Sequence, residues 1–235
     1  MKKQLLTLIL ISVITSVSFA QTDGSIIEKK IKRVGLQVGM NSTSMVFTNI
    51  TDPSIYPTFD FQPRLNAGIY SETGASENFV FHIGLFYSGA GYKTSDETVT
   101  LDYVQVPMVF NFRTDLFKQA YLTLGGGFYG GYAFSGKRET DNEIDRDIIS
   151  LNNEDKEVKE FYMFDFGFLV KADFEYNIND KRIIKIGASY NFGVLDASNS
   201  NYTETLPGGG EITYDLGAKN RVFGLNLTYM INLID

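Results

Sequence analysis

The sequence contains no cysteine and no tryptophan, a single histidine, and only five prolines in 235 residues. Without cysteine the chain has no disulfide framework and no lipoprotein anchor, and the cysteine-rich kinds of zinc site are excluded. Long apolar runs are also missing beyond the first twenty residues, so no later window is apolar enough for a transmembrane helix. Without disulfides, cysteine-rich zinc sites or transmembrane helices, the fold must be inferred from the pattern of apolar and polar residues.

Positive charge is also in short supply, since 28 acidic residues face 21 basic ones and the formal net charge is −7. A protein that binds nucleic acid needs clustered Lys and Arg to neutralise phosphates, so we predict no nucleic-acid partner. Glycine (22), phenylalanine (19) and tyrosine (14) are abundant instead. The positions of these residues along the chain are therefore the main source of information on the fold.

The N-terminal residues have the features of a secretory signal peptide. Lys2 and Lys3 precede a mostly apolar run, and Ser18-Phe19-Ala20 then places small residues where a signal peptidase cleaves. A retained membrane anchor is the alternative, but the run is shorter than the roughly 20 residues of a spanning helix. We predict a signal peptide over residues 1–20, a periplasmic N-terminal segment over 21–32, and one β-domain over 33–235.

Residues 161–176 read FYMFDFGFLVKADFEY, and their polarity alternates with a period of two. The even positions are all apolar or aromatic, whereas the odd positions hold every charge. Successive side chains of a strand point to opposite faces, so this pattern predicts a strand with one apolar and one charged face. The alternation recurs over residues 33–41, 63–70, 79–89, 103–113, 121–136, 185–193 and 221–233. We therefore predict an all-β domain of eight strands.

The connections between these strands alternate between short turns and long polar loops. The long loops lie near residues 42–60, 136–160 and 196–218. Outer-membrane barrels show this asymmetry, with short periplasmic turns and longer outer loops. We expect the long loops to be extracellular and both termini periplasmic. Loops on a rigid scaffold commonly carry recognition, so these three are candidate contacts for a protein partner.

Two eight-stranded architectures fit this pattern, a soluble lipocalin-like barrel with an apolar interior and an outer-membrane barrel with an apolar exterior. Glycine decides between them, because it is frequent on the polar faces. A strand face in water gains nothing from glycine, but the narrow lumen of an eight-stranded barrel requires small residues beside long ones. We predict an eight-stranded antiparallel transmembrane β-barrel in the outer membrane of a Gram-negative bacterium, with a polar, side-chain-filled lumen and an outer face against lipid.

Three segments resemble the PorT-like outer-membrane β-barrel family. Members of this family have a strand with Tyr-x-x-x-Pro, then a glycine-rich strand ending in a tyrosine-containing patch, then a strand with Asp-x-Gly. The matching features are Tyr103 with Pro107, Gly125 to Tyr132, and Asp165 with Gly167. The resemblance implies an outer-membrane barrel but little about activity, because most members of the family have no assigned function.

The polar faces predict a structural network inside the lumen rather than a catalytic site. His82 is the one candidate general base, but Ser88, the nearest inward hydroxyl on its strand, is six residues away and too far to pair. The inward charges are expected to form salt bridges that fill the barrel, since an unpaired buried charge costs several kcal/mol. The predicted network comprises Arg64, Asn66, His82, Gln105, Asn111, Arg113, Asp165, Lys171, Asp173, Glu175, Lys185, Asn191 and Asn226.

The acidic loop 137–160 is the only candidate for a metal site. Asp141, Asn142, Glu143, Asp145 and Asp147 could offer oxygens to calcium, but their spacing does not match a calcium-binding loop. We predict no catalytic residues, no cofactor and no metal, and a non-enzymatic role in structure, surface interaction or protein export. The alternatives are a membrane-embedded lipid-modifying enzyme and a soluble ligand-binding barrel.

Overall fold

The computed structural model describes residues 31–48, 62–74, 76, 78–94, 97–141, 143–145, 148–150, 161–197, 200–205 and 211–233. The predicted signal peptide, residues 1–20, lies outside the described residues, and so do residues 21–30 of the predicted periplasmic segment. Within the three predicted long loops, residues 49–60, 142, 146–147, 151–160, 198–199 and 206–210 also lie outside.

The described residues form twelve β-strands, of which the eight longest make up a closed barrel. The strands are β1 (Ile31–Thr48), β2 (Gln62–Gly74), β3 (Phe79–Lys93), β4 (Glu97–Phe117), β5 (Ala120–Thr140), β6 (Ile144–Asp145), β7 (Ile149–Ser150), β8 (Phe161–Tyr162), β9 (Phe164–Asn177), β10 (Arg182–Gly193), β11 (Ser200–Thr205) and β12 (Glu211–Asn232). The long strands pair antiparallel in the order β1-β2-β3-β4-β5-β9-β10-β12, and β12 pairs back with β1. The predicted eight-stranded antiparallel barrel is confirmed.

The barrel wall has the two faces that the alternation predicts. Outward Leu36, Phe110 and Ile186 are 62%, 65% and 62% exposed, whereas Asn111 and Lys185, their inward neighbours in sequence, are each 2% exposed. This arrangement is the reverse of a soluble ligand-binding barrel, and it suits a wall in contact with hydrocarbon. Among the described residues, no helix is both long enough and apolar enough to cross a membrane.

The long strands extend beyond this apolar band at one end, which we call the loop end; the opposite end, with the short connections, is the turn end. β1, β4 and β12 contain 18, 21 and 22 residues, roughly twice the 9–11 that cross a bilayer. In the extension the two faces exchange character. On β4 the inward side chains are Val99, Leu101 and Tyr103, all 0% exposed, and the outward ones are Thr98, Thr100 and Asp102.

The extended strands show that the predicted loops near residues 42–60, 136–160 and 196–218 are too long. β1 continues to Thr48, β5 continues to Thr140, and β12 already begins at Glu211. The polarity pattern of a lipid-facing strand stops at the edge of the membrane, although the strand itself continues. The alternation therefore gave strands that end too early and loops that are too long.

The prediction of one uninterrupted strand over residues 161–176 is wrong at its beginning. Phe161 and Tyr162 form the separate strand β8, which pairs parallel with β7, and β9 begins only at Phe164. The amide of Tyr162 donates to the carbonyl of Ala197, and the amide of Ala133 donates to the carbonyl of Met163. The start of the segment thus bridges β5 and the chain after β10 at the loop end.

Candidate functional site: a lumen closed at two levels

An ionic layer crosses the lumen at the turn end and consists of Arg33, Glu72, Arg113, Glu175 and Lys185. The Oε1 atom of Glu175 accepts hydrogen bonds from Arg33 Nη1 at 2.9 Å and from Arg113 Nη2 at 2.7 Å. Lys185 Nζ lies 2.6 Å from Glu72 Oε1 and 3.1 Å from Glu175 Oε2. Five strands therefore converge on two carboxylates.

Burial makes the ionic layer a structural requirement rather than a surface feature. Its five side chains belong to residues that are at most 5% exposed. Buried charges are costly unless each one has a partner, and removing a single partner leaves the others uncompensated. Arg113 gains a further contact, because its guanidinium carbon lies 3.3 Å from the centre of the Tyr121 ring.

Arg33 and Glu72 were missed as site residues by the sequence analysis. Arg33 began a predicted strand and was not assigned to the network, and the second predicted strand ended at Tyr70, two residues before Glu72. In the structure the alternation of β2 continues, and Glu72 lies directly opposite Arg33 on β1. The signal was present, because Asn66, Tyr70 and Glu72 share one parity. Lys171 and Asp173, both in the predicted network, form an ion pair nearer the middle of the barrel, with 2.8 Å between Nζ and Oδ2.

His82 lies in an aromatic stack and not beside a nucleophile. Its ring is 4.1 Å from the ring of Tyr70 and nearly parallel to it, with an interplanar angle of 5°. Neither ring nitrogen has a hydrogen-bond partner among the described residues. Ser88 Oγ instead accepts a hydrogen bond from Asn41 Nδ2 at 3.1 Å. This geometry does not assemble a serine–histidine pair.

Amide side chains fill the middle of the lumen. Asn66 Nδ2 lies 2.8 Å from both Asn41 Oδ1 and Asn226 Oδ1, and Asn226 Nδ2 donates to Ser189 Oγ at 3.2 Å. A cavity of about 60 Å³ remains between them, and the predicted residues His82, Gln105, Lys171 and Asn191 also line it. A space of this size holds only a few water molecules.

Above the cavity, Tyr103, Tyr129, Asp165 and Asn220 form what we call the tyrosine–aspartate node. Asp165 Oδ2 accepts hydrogen bonds from Tyr129 Oη at 3.2 Å and from Asn220 Nδ2 at 2.9 Å, and Asn220 Nδ2 also lies 3.3 Å from Tyr103 Oη. All four residues are at most 3% exposed. Asn220 was missed because the predicted last strand began one residue later.

The node gives a physical reason for the three motifs that resemble the PorT-like family. Tyr103, Asp165 and Tyr129 come from the three matching segments, and two glycines make room for them. A Cβ atom at Gly167 would lie 2.7 Å from Tyr129 Cε1, and one at Gly131 would lie 3.3 Å from Tyr103 Cδ1. The motif residues thus pack one layer of the lumen.

The loop end contains a second closure, which we call the loop-end core. Ile148, Phe161 and Ala197, from outside the eight long strands, are each at most 2% exposed and pack among inward apolar residues of the wall. At its rim, Tyr92 Oη donates to Glu97 Oε1 at 2.7 Å. Burial, and then this hydrogen bond, raise the pKa of Tyr92 above its ordinary value. The wall residues of the loop-end core are Met45, Ala90, Tyr92, Val99, Leu101, Tyr103, Ala133, Ala218 and Val222.

Arg64 departs from its predicted place in the lumen network. Its Nη2 atom lies 2.6 Å from Asp102 Oδ1, which also accepts a hydrogen bond from Tyr87 Oη at 2.7 Å. Asp102 and Tyr87 belong to the outward sets of their strands, so Arg64 reaches across Gly89 toward the outer face. Asn111 remains buried in the lumen, but its amide atoms have no hydrogen-bond partner among the described residues.

The acidic loop does not assemble a metal site within the part of the chain that the structure describes. No group of three or more His, Asp or Glu residues there has the arrangement to hold a metal ion. Asp141, Glu143 and Asp145 are exposed. Asn142 and Asp147, the other two residues considered as calcium ligands, lie outside the described residues.

A closed antiparallel barrel with an apolar exterior and a packed polar lumen defines the class of outer-membrane β-barrels. The chain belongs to the outer membrane protein beta-barrel domain family, whose family model matches residues 19–199. The protein is therefore located in the outer membrane of a Gram-negative bacterium. A comparison with curated protein sequences found no match.

Solved structures of small outer-membrane barrels resemble the fold at low sequence identity. The neisserial surface protein A aligns with 88% of this chain and 100% of its own, at 10% identity and a TM-score of 0.50. The outer membrane protein OprG from Pseudomonas aeruginosa covers 88% of this chain and 99% of its own, at 12% identity and a TM-score of 0.47. The likeness to the neisserial protein concerns the fold alone.

We expect Glu175→Gln to lower the free energy of unfolding by about 3–5 kcal/mol, because it removes one carboxylate from three buried cations. Urea titration of the protein refolded into liposomes, followed by heat-modifiable gel mobility, measures this loss. The control is Glu139→Gln, which breaks the partly exposed pair with Lys137 at the loop end and should cost at most about 1 kcal/mol. Equal losses in the two variants would contradict the role of the ionic layer.

Proposed function

We propose that this protein is a non-enzymatic outer-membrane barrel with a closed lumen, which presents its loops at the cell surface to a protein partner. The observation that carries the proposal is the double closure of the lumen. A barrel sealed by the ionic layer and again by the loop-end core is suited to anchoring and display, not to passage of solutes. The partner-binding segments are the predicted loops 42–60, 136–160 and 196–218, apart from the residues at their ends that continue the strands of the wall. Both termini lie in the periplasm.

The lengths of the strands support this orientation. The wall continues well beyond the apolar band at the loop end, whereas the connection between β4 and β5 at the turn end consists of Lys118 and Gln119 alone. In outer-membrane barrels the long connections lie outside the cell and the short turns lie in the periplasm. A rigid extension with its own apolar core holds the loops away from the membrane surface, as a recognition platform requires.

Support for a non-enzymatic role comes from the lumen chemistry. An acyl-transfer or hydrolytic site needs a nucleophile and a base within hydrogen-bond reach, with room for a reacting group beside them. The His82 ring is stacked on the Tyr70 ring, and the Ser88 hydroxyl accepts a hydrogen bond from Asn41. The cavity of about 60 Å³ is also far below the roughly 300–1,000 Å³ of typical ligand pockets. These features weigh against both the lipid-modifying enzyme and the soluble ligand binder.

A second candidate is the accessory role in protein export that the sequence analysis gives beside structure and surface interaction. The test compares secreted proteins of a strain lacking the gene with those of the same strain complemented by the intact gene. Secretion that is unchanged by the deletion would remove this candidate.

Because the lumen is closed at both levels, we predict that the refolded protein inserts into planar lipid bilayers without stepwise conductance. The paired variant Arg33→Ala with Glu72→Ala removes opposite charges that face each other across β1 and β2. This variant should also remain closed, because the loop-end core is a separate seal. Current recordings measure both samples, and a porin added to the same bilayer confirms that channels are detectable. Steady channel openings by the unaltered protein would overturn the proposal.

The proposed orientation predicts which epitope tags antibodies reach on intact cells. A tag inserted after residue 154, in the longest predicted loop, should be labelled without permeabilisation. A tag inserted after Asp180, in the turn between β9 and β10, should be labelled only after the outer membrane is permeabilised. Fluorescence of labelled cells measures both, with total tagged protein from lysed cells as the control. The opposite labelling pattern would show that the turn end faces outward.

A further inference from the structure

A groove on the outer wall of the barrel is much larger than the cavity in the lumen. It has a volume of about 380 Å³, compared with about 60 Å³ for the lumen cavity. This volume lies in the range of small-molecule sites. It lies on the outer face across β12, β1, β2 and β3, near the turn end. The outward side chains that line it are Val34, Leu36, Ile69, Ile83, Tyr229 and Ile231.

The groove exists because one outward position carries a small side chain. Ser71 pairs with Val34 on one side and with Ile83 on the other. Its neighbours Tyr70 and Glu72 are 4% and 1% exposed and point into the lumen, so Ser71 points outward. A serine between larger aliphatic residues leaves a depression in an otherwise apolar wall. Within the hydrocarbon layer, a depression of this kind fits an acyl chain.

Two cationic side chains, Lys32 and Arg182, lie on the outer face at the margin of this groove. Arg182 pairs in register with Ile231, a lining residue, and Lys32 precedes Val34 by two positions on the same face. Neither side chain forms an ion pair with another described residue. Among the described residues of the nearby turn, Asp180 and Lys181 carry opposite charges and leave the positive charge of Lys32 and Arg182 in excess. Ammonium and guanidinium groups of this kind bind phosphate oxygens.

We propose that this groove is a binding site for an acidic glycerophospholipid, with an acyl chain against the apolar lining and the phosphate between Lys32 and Arg182. A zwitterionic headgroup brings its own cation and offers less to two cations that have no ion-pair partner within the described residues. The assignment to the periplasmic leaflet rests on the orientation given under Proposed function. The binding itself depends only on the groove and its two cations.

Native mass spectrometry of the detergent-solubilised barrel tests the headgroup. Palmitoyl-oleoyl phosphatidylglycerol and phosphatidylcholine, which share their acyl chains, are titrated separately. A cation near the membrane surface contributes about 5-fold to affinity for an anionic lipid, so we expect phosphatidylglycerol to bind about 30-fold more tightly. Lys32→Gln with Arg182→Gln should abolish this preference. The matched control, Lys219→Gln with Arg221→Gln near the loop end, should retain it.

The groove is tested by filling it. Ser71→Phe should weaken binding of both lipids, because the ring occupies the space for the acyl chain. Ala188→Phe places the same ring on the outward face of β10, away from the groove, and should leave binding unchanged. Folding of each variant is verified by heat-modifiable gel mobility before titration.

Three outcomes would overturn the proposal. They are equal affinity for the two lipids in the unaltered protein, equal loss of preference in the Lys219/Arg221 control, and a dimer of this chain that Ser71→Phe dissociates. The last outcome would make the groove an interface between two copies. Because the titration does not depend on orientation, reversed epitope labelling would change the assigned leaflet but leave the lipid preference intact. Loss of that preference would leave the labelling pattern unchanged.

Discussion

The pairing of β1 with β12 is the interaction on which the rest of the structure depends. A free strand edge in lipid would leave backbone amides without partners, at several kcal/mol each, so the first and last strands must meet. Their register runs without interruption from Arg33 opposite Asn232 to Thr48 opposite Gly217. A slip of one residue would turn Gln37 and Asn41 toward lipid. The register therefore determines the lumen network as well as the closure.

One continuous wall meets two environments, and its side chains follow each of them. Around the lumen cavity the interior is built from amides, hydroxyls and paired charges, because the apolar residues face lipid. At the loop end the interior becomes apolar and the outer face polar, as in a water-soluble protein. The tyrosine–aspartate node lies at this transition. Its Tyr103 ring packs in the apolar loop-end core, and its Asp165 carboxylate accepts hydrogen bonds from polar lumen groups. The two seals of the lumen are thus consequences of the membrane boundary.

The strands in lipid were predictable because each of their side chains contrasts with its neighbours, as Phe166 does with Asp165 and Gly167. Contacts between side chains across the lumen were harder to predict from the sequence. Parity could place Lys185 inside, but its contact with Glu72, at 2.6 Å across the lumen, requires the closed barrel. Arg64 has the parity of a lumen residue, yet its long side chain reaches Asp102 instead. The loop-end core escaped prediction because Ile148 comes from a connection without periodicity, and because Phe161 was assigned to the strand 161–176 although it belongs to β8.

Cross-linking between the first and last strands tests the central claim of barrel closure and register most directly. The chain has no native cysteine, so any disulfide comes from the introduced pair. Leu36 and Tyr229 lie directly opposite each other, whereas Leu225 lies opposite Met40. We predict that Leu36→Cys with Tyr229→Cys forms a disulfide within one chain upon mild oxidation, visible as a mobility shift on non-reducing gels, and that Leu36→Cys with Leu225→Cys stays reduced. Equal oxidation of both pairs, or disulfides only between chains, would contradict this account.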